Sequence, residues 1–131
     1  MGPHTARHRG TAVKGWLASD HTPYVTINVL EAGVGREFVV DTGFSGSLYL
    51  PEDKIADWNL RFITSAPMIL ANQSVLIADV FEANVVWFSV KHRVSVIAGP
   101  AGCDSLLGME LLLGCRIDLD RLLSAVRIDQ L

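Results

Sequence analysis

The chain is a succession of short apolar runs, each cut off by glycine, proline, asparagine or charge before it reaches ordinary helix length. That punctuation constrains the fold more than any other feature. Tyr24-Val25-Thr26-Ile27-Asn28-Val29-Leu30 places Val25, Ile27 and Val29 on one face, the period of a half-buried strand. Ala32-Gly33-Val34-Gly35 reads as the following turn, Phe38-Val39-Val40 as the next strand, and Leu48-Tyr49-Leu50 as another that stops at Pro51. Pro51, Glu52 and Asp53 stand where a helix start wants proline and acids, so a short helical turn to about Trp58 is expected. Met68-Ile69-Leu70 and Val75-Leu76-Ile77 flank the polar tip Ala71-Asn72-Gln73-Ser74, a β-hairpin pattern. Val85-Val86-Trp87-Phe88 and Val94-Ser95-Val96-Ile97 form a second pair with Lys91-His92-Arg93 as its solvated tip. After a Gly99-Pro100-Ala101-Gly102 loop, residues 106–114 are the one good helix candidate, closed by Gly114. Arg116 to Leu119 and Ala125 to Ile128 end the chain as a strand pair around Asp120-Arg121. The reading is all-β with one short C-terminal helix.

A length of 131 residues suits one domain, and half of them are apolar against 19% charged. The formal charge of −3 excludes the basic footprint of a nucleic-acid binder. Arg7, Arg9 and Lys14 are the only charges among residues 1–15, so the body is acidic. The Gly/Pro-broken start predicts a flexible or non-native segment over residues 1–21 and a folded domain over residues 22–131. A mean hydropathy of +0.32 is high for a small domain and suggests apolar surface covered by a partner. The uncharged stretch Phe62 to Ala78 is broken by Pro67, Asn72 and Gln73 and is too short to span a bilayer. With no signal-peptide core before Asp20, a cytoplasmic protein is expected, without a membrane partner.

Cys103 and Cys115 make neither a disulfide framework nor a zinc pattern and are read as ordinary buried thiols. His4 and His8 lie in a stretch that cannot hold a helix face, His21 precedes a turn, and His92 sits at the expected hairpin tip. No metal and no cofactor are expected.

The chemistry concentrates at Val39-Val40-Asp41-Thr42-Gly43-Phe44-Ser45-Gly46. An apolar strand here delivers a carboxylate into a loop with two glycines, where backbone can approach a ligand closely. Taken alone, the same residues make an Asp-initiated turn between two strands. Aspartyl-phosphate chemistry is excluded: one such pattern needs a second Asp at position 43, which is Gly, and the other a Lys at position 42, which is Thr.

Asp41-Thr42-Gly43 between apolar strands, followed by Ser105-Leu106-Leu107-Gly108-Met109-Glu110-Leu111-Leu112, resembles the two signatures of the retroviral-type aspartic proteases. The resemblance covers roughly Tyr24 to Asp129, with Met68 to Ser74 in the place of that family's flap. Asp-Thr-Gly-Phe-Ser-Gly with Leu-Leu-Gly-Met looks more like the small prokaryotic members of the clan than the viral ones. It implies a retropepsin-like closed β-barrel, the acid-protease half-fold, as a homodimer acting on peptide or protein substrates. One chain supplies one Asp-Thr-Gly, so the second carboxylate would come from another copy across a two-fold axis. The implied catalytic residues are Asp41, Thr42 and Gly43, with Thr42 bonding across the dimer. Phe44, Ser45, Ala71, Asn72 and Gln73 are the implied substrate-binding residues, the last three at the flap tip.

Several positions depart from the viral pattern. Phe44 replaces a small residue, Ser45 and Gly46 stand where viral members have substrate-binding acids, and Met109 replaces an interface arginine. The flap tip lacks the viral glycines. The alternative from another class is a catalytically silent retropepsin-like module for dimerisation or peptide binding.

Overall fold

The computed structural model describes residues 12–131. Ten strands form one sheet in the order β5-β6-β7-β4-β8-β3-β2-β1-β10-β9. The first four are β1 (Val13–Leu17), β2 (Pro23–Val29), β3 (Val34–Val40) and β4 (Leu48–Pro51). Then come β5 (Arg61–Ile69), β6 (Val75–Trp87), β7 (Val90–Gly99) and β8 (Leu106–Leu107). β9 (Cys115–Asp120) and β10 (Ala125–Gln130) close the chain. Among the described residues two short α-helices, α1 (Glu52–Asp57) and α2 (Met109–Leu112), and a 3-10 turn at Leu30–Ala32 interrupt the strands.

The sheet curls on itself because β6 also pairs with β2, Asn28 opposite Val86 and Val29 opposite Val85. That seam closes a barrel from β2, β3, β8, β4, β7 and β6. Its interior is filled by Val25, Ile27, Val29, Phe38, Leu48, Leu50, Val85, Val96 and Leu107, all at most 2% exposed. The alternation of Val25, Ile27 and Val29 is what faces them inward together, as period-2 patterning requires. The expected all-β barrel is therefore the observed one.

Several elements differ from the sequence reading. The folded part begins earlier than residue 22, because Val13–Leu17 is a strand held between β2 and β10. Residues 1–11, with His4 and His8, lie outside the described residues. The second hairpin turns at Phe88-Ser89, both in left-handed backbone (φ 51° and 65°), not at Lys91-His92-Arg93. Those three residues are in β7, opposite Val86, Val85 and Asn84. A two-residue turn with both central residues at positive φ matches strand twist, and Phe88 accepts that backbone because its buried ring packs edge-on against Trp87 at 4.9 Å.

The expected helix over residues 106–114 is mostly not helix. Leu106–Leu107 is β8, captured in parallel by β3 and antiparallel by β4. Only Met109–Leu112 turns helical, after an extended Gly108 and before Gly114 at φ 72°, the left-handed terminator expected there. Pairing with both the β3 and the β4 edge outcompetes helix propensity at these two leucines. Among the described residues no helix is long and apolar enough to cross a membrane.

Candidate active site

β3 ends at Val40, and the chain enters a tight loop over residues 41–47 before β4. Asp41 anchors the loop at its start: its N–H donates to the Leu107 carbonyl at 2.9 Å. Its own Oδ1 accepts the Gly43 N–H at 2.8 Å, and its carbonyl accepts the Phe44 N–H at 3.2 Å. Asp41 as a residue is half-buried, while Thr42 and Gly43 are exposed beside it. This is the Asp-initiated turn of the sequence reading, and within the loop it engages Oδ1 of the carboxylate.

The segment after β8 locks the loop from beneath. Gly108 donates its N–H to Ser47 O at 2.9 Å, Met109 to Phe44 O at 2.8 Å, and Glu110 to Gly46 O at 3.1 Å. The buried Ser47 hydroxyl donates to the Glu110 carboxylate. Phe44, 8% exposed, turns its ring into this junction and meets Tyr49 edge-on at 5.9 Å. Burial pushes the Tyr49 phenol pKa up, aided by the nearby Cys103 thiol, so the ring stays neutral. Phe44 therefore serves mainly as the loop's apolar anchor, with part of its surface on the cleft.

That cleft, about 430 Å³, lies between the loop and the outer part of the β5–β6 hairpin, just short of its turn. Gly43, Phe44 and Ser45 form one side, and Ala66, Pro67, Met68, Ile69, Ala78, Val80 and Ile97 form the rest. No charged side chain lines it. Of the residues singled out from sequence, Gly43, Phe44 and Ser45 reach this cleft. Ala71, Asn72 and Gln73 sit farther out at the exposed hairpin tip. There Leu70 and Ser74 close the turn (Leu70 N–H to Ser74 O, 2.9 Å), with Gln73 at φ 66°. Asn72 Oδ1 accepts from the Ser74 N–H and hydroxyl, at 3.0 and 2.6 Å. Gln73 thus holds the left-handed position that a glycine would otherwise supply.

Of the β5 residues that line the cleft, the sequence reading placed Met68 and Ile69 in the hairpin but started that hairpin after Ala66 and Pro67. β5 is the edge of the sheet, where a missing N–H leaves no ladder bond unmade. The legible signal was the alternation of Ala66 and Met68, the two half-buried members of that strand's exposed run.

His21 occupies a turn at φ 70° and His92 lies in β7. Cys103 and Cys115 are half-buried free thiols, and burial raises the pKa of each.

No family model matches the sequence, and no curated protein matches it. Among solved structures it is similar to the crystal structure of a retropepsin-like aspartic protease from Rickettsia conorii. The two share 22% identity over 91% of this chain and 90% of that one, with a TM-score of 0.64. That likeness shows the fold alone: this chain has the retropepsin-like acid-protease half-fold.

Proposed function

We propose that the chain is an aspartic endopeptidase whose site is completed by a second copy. The observation that carries this reading is the placement of Asp41. Asp41 is half-buried at a strand end, its carboxylate oriented by the Gly43 N–H, on a loop that borders an uncharged cleft under a long hairpin. Two such carboxylates about 3 Å apart cannot both ionise cheaply, so they share a proton and one acts as base while the other acts as acid. The base takes a proton from water as its oxygen attacks the peptide carbonyl, and the acid protonates the carbonyl oxygen. Collapse of the tetrahedral adduct then transfers a proton to the leaving amine. Thr42, exposed beside Asp41, bonds across the two-fold axis, and the hairpin tip at Ala71, Asn72 and Gln73 closes on the substrate and excludes water.

The test is digestion of a diverse peptide pool from acidic to neutral pH by the parent and by Asp41→Asn. The Asn variant keeps an Oδ1 acceptor for the Gly43 N–H, so it folds, but it cannot share a proton. Loss of all cleavage supports the reading. Equal cleavage by both rules out Asp41 as catalyst, and peptide binding without cleavage by either identifies a silent module.

A further inference from the structure

A second cavity, about 350 Å³, opens beside the first half of β3, while Asp41 follows the last residue of that strand. Gly35, Arg36, Glu37, Lys54, Trp58 and Ser105 line it. Unlike the cleft, it is charged, with two cations against one acid on a chain whose net charge is −3. We propose that this cavity binds the phosphate group of a small phosphoester through Arg36, Lys54 and Ser105.

Arg36 carries the argument. It stands opposite Ile27, on the strand face that also bears the fully buried Phe38. A cation on that face needs cover, and Trp58 supplies it: the guanidinium carbon lies 5.5 Å from the ring centroid. Stacking covers the flat side of the guanidinium and uses none of its N–H groups. Arg36 Nε is buried with no hydrogen-bond partner, and no carboxylate among the described residues pairs with Arg36. A buried donor left unmade is costly, more so on a cation, and an anion at the terminal nitrogens compensates that charge. Glu37 does not do so, because strand alternation puts its exposed side chain on the other face of β3.

The other two donors come from separate elements. Lys54 and Trp58 are four positions apart at the end of α1, so they share a face of that turn. Lys54 is half-buried and has no ion pair among the described residues. The helix carbonyls that would repel an anion there are occupied. Lys54 O accepts the Trp58 N–H at 2.9 Å, and Ile55 O and Ala56 O accept those of Leu60 and Asn59 at 3.1 Å. Ser105 precedes β8 and is pinned against β3, its carbonyl accepting the Val39 N–H at 2.8 Å. Its half-buried side chain brings a hydroxyl to the cavity wall.

A planar fork, a point charge and a hydroxyl suit the three oxygens of a phosphate group better than the two of a carboxylate. The volume is at the small end for organic ligands, which leaves room for a short organic remainder beside the phosphate. Asp41 takes no part, so the site does not depend on the protease reading.

The experiment is a titration of the full chain followed by nitrogen–proton NMR. The probes are inorganic phosphate and glycerol 3-phosphate, with acetate and chloride at matched ionic strength for comparison. The Arg36 Nε–H and the Ser105 amide are expected to shift saturably with both phosphates, more tightly with the ester, and to move little with acetate or chloride. Lys54→Gln keeps helix propensity and is expected to weaken phosphate binding about tenfold. Arg36→Lys keeps a charge but loses the fork and is expected to weaken it at least as much. Should that change unfold the chain by uncovering Trp58, Lys54→Gln and Ser105→Ala carry the test. Arg36 and Ser105 signals that follow chloride alone, or a Lys54→Gln chain that titrates like the parent, overturn the site. Acetate bound as tightly as phosphate overturns the phosphate assignment, and an ester bound no better than inorganic phosphate overturns the organic remainder. A chain that binds phosphate here and cleaves no peptide removes only the protease reading. One that cleaves and does not bind removes only this site.

Discussion

Gly108 lies directly beneath Phe44: a Cβ at position 108 would stand 2.4 Å from Phe44 Cδ2 and 2.2 Å from the Gly46 carbonyl oxygen. Met109, the next residue, donates its N–H to Phe44 O at 2.8 Å. Two segments more than sixty positions apart in sequence are thus built as one piece, and the absence of a side chain at 108 is what lets them touch.

Gly108→Ala is accordingly expected to destabilise the protein by about 1–3 kcal/mol, the usual cost of overpacking, or more because the nearest obstacle is backbone. Adding Phe44→Leu relieves the ring contact but not the carbonyl contact, so it does not restore the melting temperature. Thermal unfolding of the single and double variants checks both statements.

Thr42→Val keeps shape and removes the hydroxyl proposed to bond across the two-fold axis. A buried partner left unsatisfied costs about 1–3 kcal/mol, so the dimer constant is expected to rise by roughly tenfold or more. Sedimentation over a dilution series reads this, and an unchanged constant means that Thr42 faces away from the interface.

Mixing parent and Asp41→Asn chains separates a shared dyad from independent sites. With random exchange, only about one dimer in four of an equimolar mixture keeps both aspartates. Activity at constant total chain, well above the dimer constant, is expected to follow the square of the parent fraction. A straight line in that fraction would mean that each chain works alone.

Burial raises the Cys115 thiol pKa, so folding favours its protonated form. Its labelling by a thiolate-specific reagent is expected to be slow at neutral pH and to accelerate only above the pH at which an ordinary thiol has ionised. The linked stability is full below the unfolded thiol pKa and is lost as pH rises toward the folded value. Labelling rates across neutral to alkaline pH, with Cys115→Ser to isolate Cys103, test the assignment.

Much of the barrel was legible because its strands have one wet and one dry side. Val25, Ile27 and Val29 announced β2, and Asp41 announced the loop after β3, since their roles depend on neighbours in sequence. Leu106 and Leu107 did not announce β8, because their state is decided by the β3 and β4 edges that capture them. Lys91, His92 and Arg93 looked like a turn because charge marks solvent, and the first residues of β7 are exposed on both faces of the strand. The hairpin was read from Met68 onward, but its extension back through Ala66 and Pro67 was not, since a proline that forbids a central strand is harmless at an edge.

The 13 residues of β6 have two attachments of different stiffness. At one end, Val85 and Val86 are riveted into the barrel seam against Val29 and Asn28. At the other, Val75, Leu76 and Ile77 are held only by β5, whose pairing slips a register between Phe62 and Thr64. The hairpin above the cleft is in effect a cantilever, clamped in the wall and free at the tip. The register slip lies toward the foot of that cantilever, so a residue change near Phe62 is expected to alter the stiffness of the hairpin without touching the loop that carries Asp41.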